Sequence, residues 1–171
     1  MIFINGQVMI VNFLELEHSQ IQQIDQIFFQ NSKKIFHSDL EREEFKNKWL
    51  RQYIENPKLF FVKLIDHHVA GYINGNFITG NLLDEFSPLL AKFPAHLHIN
   101  VSENFQGKSL GKELLAYFFD QLIMSSILGV HIVTSPQSRN VKFYHENGFY
   151  FTQISSCQKF LFMGHELKVS R

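Results

Sequence analysis

The sequence predicts an α/β fold of the α+β type: one mixed, mostly antiparallel sheet of six to seven strands with helices on both faces. Two observations carry that prediction. Pairs of β-rich segments joined by short turns fall in the first half and at the end of the chain, at residues 59–78 and 149–169, whereas strands and helices alternate through the second half. Scale agrees, because 171 residues with 45% apolar and 15% aromatic content bury one sizeable core and fit a single domain over residues 1–171. There is no repeat, low-complexity tract or Pro/Gly/Ser-rich linker to divide it.

Each element has a local reason. Residues 8–14 alternate loosely and are β-rich, a first strand. Residues 17–36 carry Ile21, Ile24, Ile27 and Phe28 at helical spacing, with Ser19 as a cap. Residues 38–54 read as a second helix, with Ser38 as N-cap, Glu41 three positions on and Asn56-Pro57 as the stop. Strands at 59–65 and 69–78 flank a hairpin turn at Asp66-His67-His68. Residues 81–92 form a short helix ended by Pro94. A strand at 96–101 leads to a helix at 108–124, then come a strand at 129–135, a helix at 139–147 and strands at 149–154 and 158–169.

Composition narrows the functional classes. Sixteen Lys and Arg balance sixteen Asp and Glu, so the chain lacks the basic excess of a nucleic-acid binder. No apolar run approaches the roughly 18–20 residues that cross a bilayer, and the first residues do not form a secretory signal. The single cysteine, Cys157, forms no intramolecular disulfide and fits a reducing, cytoplasmic setting.

Residues 97–112 carry the strongest chemical signal. An apolar strand passes through Gln106, Gly107, Lys108 and Ser109 into an amphipathic helix that begins Leu110, Gly111, Lys112. Such a handover aims several N–H groups and the positive end of a helix dipole at one spot, a phosphate site, and Lys108 and Lys112 add charge. Downstream, Asn140 and Tyr144 lie at i and i+4 on one helix face, so both can look at the same ligand. His96 and His98 are two apart on a strand and share a face.

On these residues the chain resembles the GNAT superfamily of acyl-CoA N-acyltransferases. The family signature is Arg or Gln, two variable residues, Gly, one variable residue, then Gly or Ala; Gln106 to Gly111 fills it, with Ser109 at the usual first glycine. Asn140, Tyr144, Gly148 and Phe149 fall on the family's late motif. The resemblance implies an acceptor-side half over about 1–94 and an acetyl-CoA-binding half over about 95–171. It implies acetyl-CoA as co-substrate, held by Ile99 and Val101 along the pantetheine arm, by Gln106, Gly107, Lys108, Ser109, Leu110, Gly111 and Lys112 at the pyrophosphate, and by Asn140 and Phe143. It makes Tyr144 the acid for the leaving thiolate. The strand of His96 and His98 borders the thioester in the family, so either is a candidate base, with His131 as a further one. The implied activity is acetyl transfer to a primary amine of a small molecule or peptide, without a metal, in a monomer or homodimer that engages neither nucleic acid nor membrane. The alternative is a weak or inactive acyl-CoA-binding module, for residues 94–99 are also similar to the acetyltransferase-like domains associated with O-GlcNAcases.

Overall fold

The computed structural model describes residues 8–77 and 84–168. The chain divides into two compact units, one of Met1–Asn74 with Ile99–Phe118, the other of Gly75–His98 with Phe119–Arg171. Seven strands follow the hydrogen-bonded order β1-β2-β3-β4-β5-β7-β6, one mixed sheet as the sequence predicts.

In the first unit β1 (Val8–Asn12), β2 (Phe60–Ile65) and β3 (His68–Phe77, through Asn74) pair antiparallel. Asp66 and His67 both take positive φ, 49° and 65°, as a two-residue hairpin turn with the right-handed twist demands. Strand β2 is buried on both faces. Phe60, Val62 and Leu64 join Ile24, Ile27 and Phe28 of α1 (His18–Ser32) and Leu50 and Tyr53 in one core, whereas Phe61 stacks edge-on against Tyr117 and Phe118 of α4 (Leu110–Met124). Period-two alternation thus feeds a helix on each face of this strand, and each buried aromatic side chain contributes about 2 kcal/mol.

Of the boundaries that differ from the sequence reading, three have a clear local cause. Helix α1 ends at Ser32, and its first turn is closed by Glu17 N–H donating to Gln20 Oε1 at 2.9 Å, not by Ser19. The expected helix over 38–54 is two, α2 (Asp39–Trp49) and α3 (Arg51–Glu55), broken at Leu50, whose φ/ψ of −121/−38 lets it turn into the core at 1% exposure. Ser38 caps α2 as expected, accepting from Glu41 N–H at 3.2 Å. Residues 84–91 wind as a 3₁₀ helix because Pro88 removes a main-chain donor; positions 78 and 81–83 of the expected elements, and 169, lie outside the described residues.

In the second unit β4 (Ala95–Val101, through His98) runs parallel to β5 (Gly129–Thr134), with Ala95 opposite Val130 and His96 opposite His131. Antiparallel to β5 lies β7 (Leu161–Glu166), which pairs in turn with β6 (Phe151–Ile154). Phe86, Phe93 and Phe162 form the core, and α5 (Asn140–Glu146) packs Tyr144 on Phe149.

Candidate functional site

The first unit builds the strand-to-helix turn. After β4 a 3₁₀ turn at Glu103–Phe105 leads to Gln106, and the backbone then takes positive φ twice, 74° at Gly107 and 62° at Ser109. Those two left-handed steps turn the chain into α4, whose first N–H groups lack helical partners. Ser109 C=O accepts from Glu113 N–H at 3.1 Å, so Ser109 starts the helix through its main chain. It adopts the conformation that glycine takes at lowest cost. Leu110 is 5% exposed and anchors the helix in the core, leaving only its main chain for a ligand, whereas Gln106, Gly107, Lys108, Ser109 and Lys112 are exposed.

Charge at this turn favours an anion. Among the described residues Lys108 and Lys112 have no carboxylate partner, and Lys108 Nζ sits 5.3 Å over the Phe105 ring. Glu113, the acidic residue of the first turn, is neutralised by Lys63, a lysine on β2 with only 5% exposure. Sequence reading missed this pair because its members are fifty positions apart. It also missed Asn31, whose Nδ2 donates to Val101 C=O at 3.2 Å, beside a second 3.2 Å bond from Gln106 Nε2. Gln106 therefore braces the end of β4 with its side chain and can offer a ligand its main chain. Ile99 and Val101 are half-buried.

The second unit gathers the histidines. His96 Nε2 and His98 Nε2 lie 3.1 Å apart, within hydrogen-bond distance, with the donor set by the tautomers of the two rings. The His131 ring centroid is 5.0 Å from that of His96. His131 Nδ1–H donates to Phe93 C=O at 2.6 Å, which leaves Nε2 as a buried, unpartnered acceptor; His96 Nδ1 is likewise buried and unpartnered. Burial pushes all three imidazoles down, with mutual repulsion adding at His96 and His98: His98 and His131 fall to about 4, and His96 lies well below its ordinary value. The cluster is neutral at pH 7. Among the described residues no set of three His, Cys, Asp or Glu side chains is arranged to hold a metal ion.

This cluster sets a pH dependence of stability. An unfolded histidine binds its proton near pH 6.5, folded His98 and His131 near pH 4, and His96 well below its ordinary value, so between pH 6.5 and 4 the unfolded state holds more protons and folding weakens as pH falls. Stability is expected to level off above about pH 7.5 and to drop by roughly 3 kcal/mol by pH 4 for the fully buried His131, with His96 and His98 acting in the same direction. Urea titrations at pH 7.5 and 4.5 check this; His131→Gln should flatten the profile, and an unchanged slope in that variant would remove the histidine explanation.

Helix α5 presents the last group. Thr134 Oγ1 donates to Asn140 Oδ1 at 3.1 Å and orients that amide, while Tyr144, one turn on, is 4% exposed between Phe143 and Phe149. Burial raises the Tyr144 pKa, so the phenol stays protonated. Among the described residues its hydroxyl has no hydrogen-bond partner. Phe143 itself is half-buried. Cys157 is exposed, and hydrogen bonds from Ser155 and the Lys159 main chain lower its pKa.

A strand-to-helix turn with an open helix N-terminus, an Asn/Tyr helix face and this strand order are features of an acyltransferase fold. The chain belongs to the acetyltransferase (GNAT) family, whose family model matches residues 20–149. Solved structures agree at the level of fold. SsHAT aligns with a TM-score of 0.75 at 16% identity, over 94% of this chain and 98% of the other. The PaiA N-acetyltransferase of Thermoplasma acidophilum, in complex with coenzyme A, aligns at 0.65 and 17%, over 94% and 99%. YncA from Salmonella typhimurium, with acetyl-CoA, aligns at 0.64 and 17%, over 94% of each chain. No curated protein matches the sequence.

Proposed function

We propose that this protein transfers an acetyl group from acetyl-CoA directly to a primary amine in a ternary complex, without a metal, in the cytoplasm. The observation that carries the reading is the turn from Gln106 to Lys112, with its paired left-handed residues, open helix N-terminus and two lysines that have no carboxylate partner among the described residues. Its N–H groups, with Gly111 among them, suit a pyrophosphate. Ile99 and Val101 offer main-chain groups to an extended pantetheine arm, in the manner of an added strand. Asn140 and Phe143 serve the same ligand from α5.

In the reaction, the amine lone pair attacks the thioester carbonyl carbon, and a main-chain N–H at Val101 or a neighbouring residue steadies the oxyanion. His98 takes the amine proton, directly or through water, and passes it to solvent; its low pKa makes the transfer onward fast, and His96 fixes its ring. When the carbon–sulfur bond breaks, Tyr144 gives its proton to the thiolate and regains one from solvent.

Isothermal titration with acetyl-CoA and CoA tests the reading. Wild type is expected to bind both in the micromolar range. Ser109→Gly should bind at least as tightly and gain up to about 1 kcal/mol of stability, since left-handed backbone costs a non-glycine residue about 1–2 kcal/mol and glycine returns part of that as chain entropy. No binding at millimolar ligand would overturn the proposal and leave an interaction module with the same fold.

A further inference from the structure

An open cavity of about 310 Å³ lies in the first unit where α1, α2 and the connection between them meet, lined by Gln26, Phe29, Gln30, Lys34, Phe36 and Arg42. Its apolar wall is a ladder of rings. Lys33 ends α1 in the left-handed region, at φ 53°, and turns the chain. Phe36 then packs at 5.3 Å, centroid to centroid, on both Phe29 and Phe45, and Phe45 packs at the same distance on Phe28 of the core. Arg42 lies over this wall, its Cζ 4.0 Å from the Phe29 centroid and 5.7 Å from that of Phe36. Lys34 Nζ stands 5.2 Å from the Phe36 ring and pairs with Glu41 Oε1 at 2.9 Å. Two cations, two rings and two amides therefore face one space.

Neighbouring charges on α2 are committed elsewhere, Lys46 to Asp25 and Glu43 to Arg51. Arg42 is not: among the described residues its guanidinium has neither a carboxylate partner nor a hydrogen bond. The amides of Gln26 and Gln30, one turn apart on α1, also have no hydrogen-bond partner among the described residues. A guanidinium laid on a ring keeps its edge donors in a planar fork, the shape that grips a carboxylate through two parallel bonds. Net charge decides between anions. Glu41 stays ionised, because the His37 main chain and then Lys34 hold its carboxyl below the ordinary value. Arg42 and Lys34 against Glu41 leave one positive charge, which balances a carboxylate, whereas a phosphate monoester carries about 1.5 to 2 negative charges at neutral pH. We propose that this cavity binds an organic carboxylate, with the carboxylate on the Arg42 fork and its apolar or aromatic body against Phe29 and Phe36. Gln26 and Gln30 supply N–H donors to the oxygen edges that the fork leaves open. Binding there is independent of acetyl transfer and is read without acetyl-CoA.

Ligand-detected NMR titration of the full chain with phenylacetate tests the site, with phenylacetamide as the uncharged comparator and phenyl phosphate as the more highly charged one. Wild type is expected to bind phenylacetate saturably at millimolar concentration or below, phenyl phosphate more weakly and phenylacetamide not at all. Arg42→Gln should weaken phenylacetate binding about ten- to hundredfold, as loss of a charge-assisted pair does. Arg42→Lys keeps the charge but loses the fork, and should weaken it by a smaller, measurable factor. Glu41→Gln is expected to tighten binding several-fold, because the cavity then carries two positive charges while a side-chain oxygen remains for the His37 N–H. A folding defect cannot produce that gain. No saturable binding of phenylacetate by wild type overturns the proposal, as do binding that Arg42→Gln leaves unchanged and equal binding of phenylacetate and phenylacetamide. Tighter binding of phenyl phosphate than of phenylacetate overturns it in favour of a phosphate site. Should Arg42→Gln fail to fold, Glu41→Gln decides: tighter binding supports the carboxylate site, and unchanged or weaker binding overturns it.

Discussion

Tyr144→Phe is expected to lower kcat by about a hundredfold or more while leaving acetyl-CoA affinity within about twofold of wild type. The ring is buried between Phe143 and Phe149, and phenylalanine preserves both contacts, so the variant removes a hydroxyl and little else. That hydroxyl has no partner among the described residues, so its loss leaves no orphaned bond behind. Its raised pKa keeps the proton in place until a stronger base appears beside it, as a departing thiolate does. Steady-state kinetics on any amine that wild type acetylates, with a CoA titration alongside, separate the two effects. Near-normal turnover would reassign the leaving-group proton to water, and a matched loss of affinity would make Tyr144 a binding residue.

Gly129→Ala is expected to destabilise the protein by about 3 kcal/mol, at the upper end for an overpacked site. A Cβ at this position would stand 1.9 Å from Lys92 O and 3.0 Å from Phe93 Cα. Both are main-chain atoms, so no rotamer change relieves the contact. The neighbouring register makes displacement expensive: Val130 pairs with Ala95, and His131 holds the Phe93 carbonyl. Urea unfolding of the variant checks the figure. A change below about 0.5 kcal/mol, the level of an ordinary surface substitution, would mean that the segment at residues 92–93 shifts freely.

Much of the fold was readable because it rests on local periodicity. Leu110, Leu114, Leu115, Phe118 and Leu122 are all buried along α4, as their spacing requires. The hairpin turn at Asp66-His67 and the cap at Ser38 follow from the chemistry of single residues. Errors arose where a distant contact overrode a local preference: Leu50 and Tyr53, at 1% and 2% exposure, break one expected helix into two, because burying both matters more than continuing the helical ladder.

The site divides in the same way. By itself the sequence determined the strand-to-helix turn at residues 106–112 and the Asn140/Tyr144 face, since both are set by residue order within one strand-to-helix passage or one helix. Even the departure at Ser109 was visible there, although its left-handed φ of 62° was not. Only the tertiary structure paired Lys63 with Glu113, braced Val101 with Asn31, and left Asp25 and Asn74 with buried, donorless oxygens. It also gathered His96, His98 and His131 into a neutral, desolvated cluster. Those outcomes depend on burial and on partners tens of residues away, and a desolvation cost exists only once the chain has closed over the group that bears it.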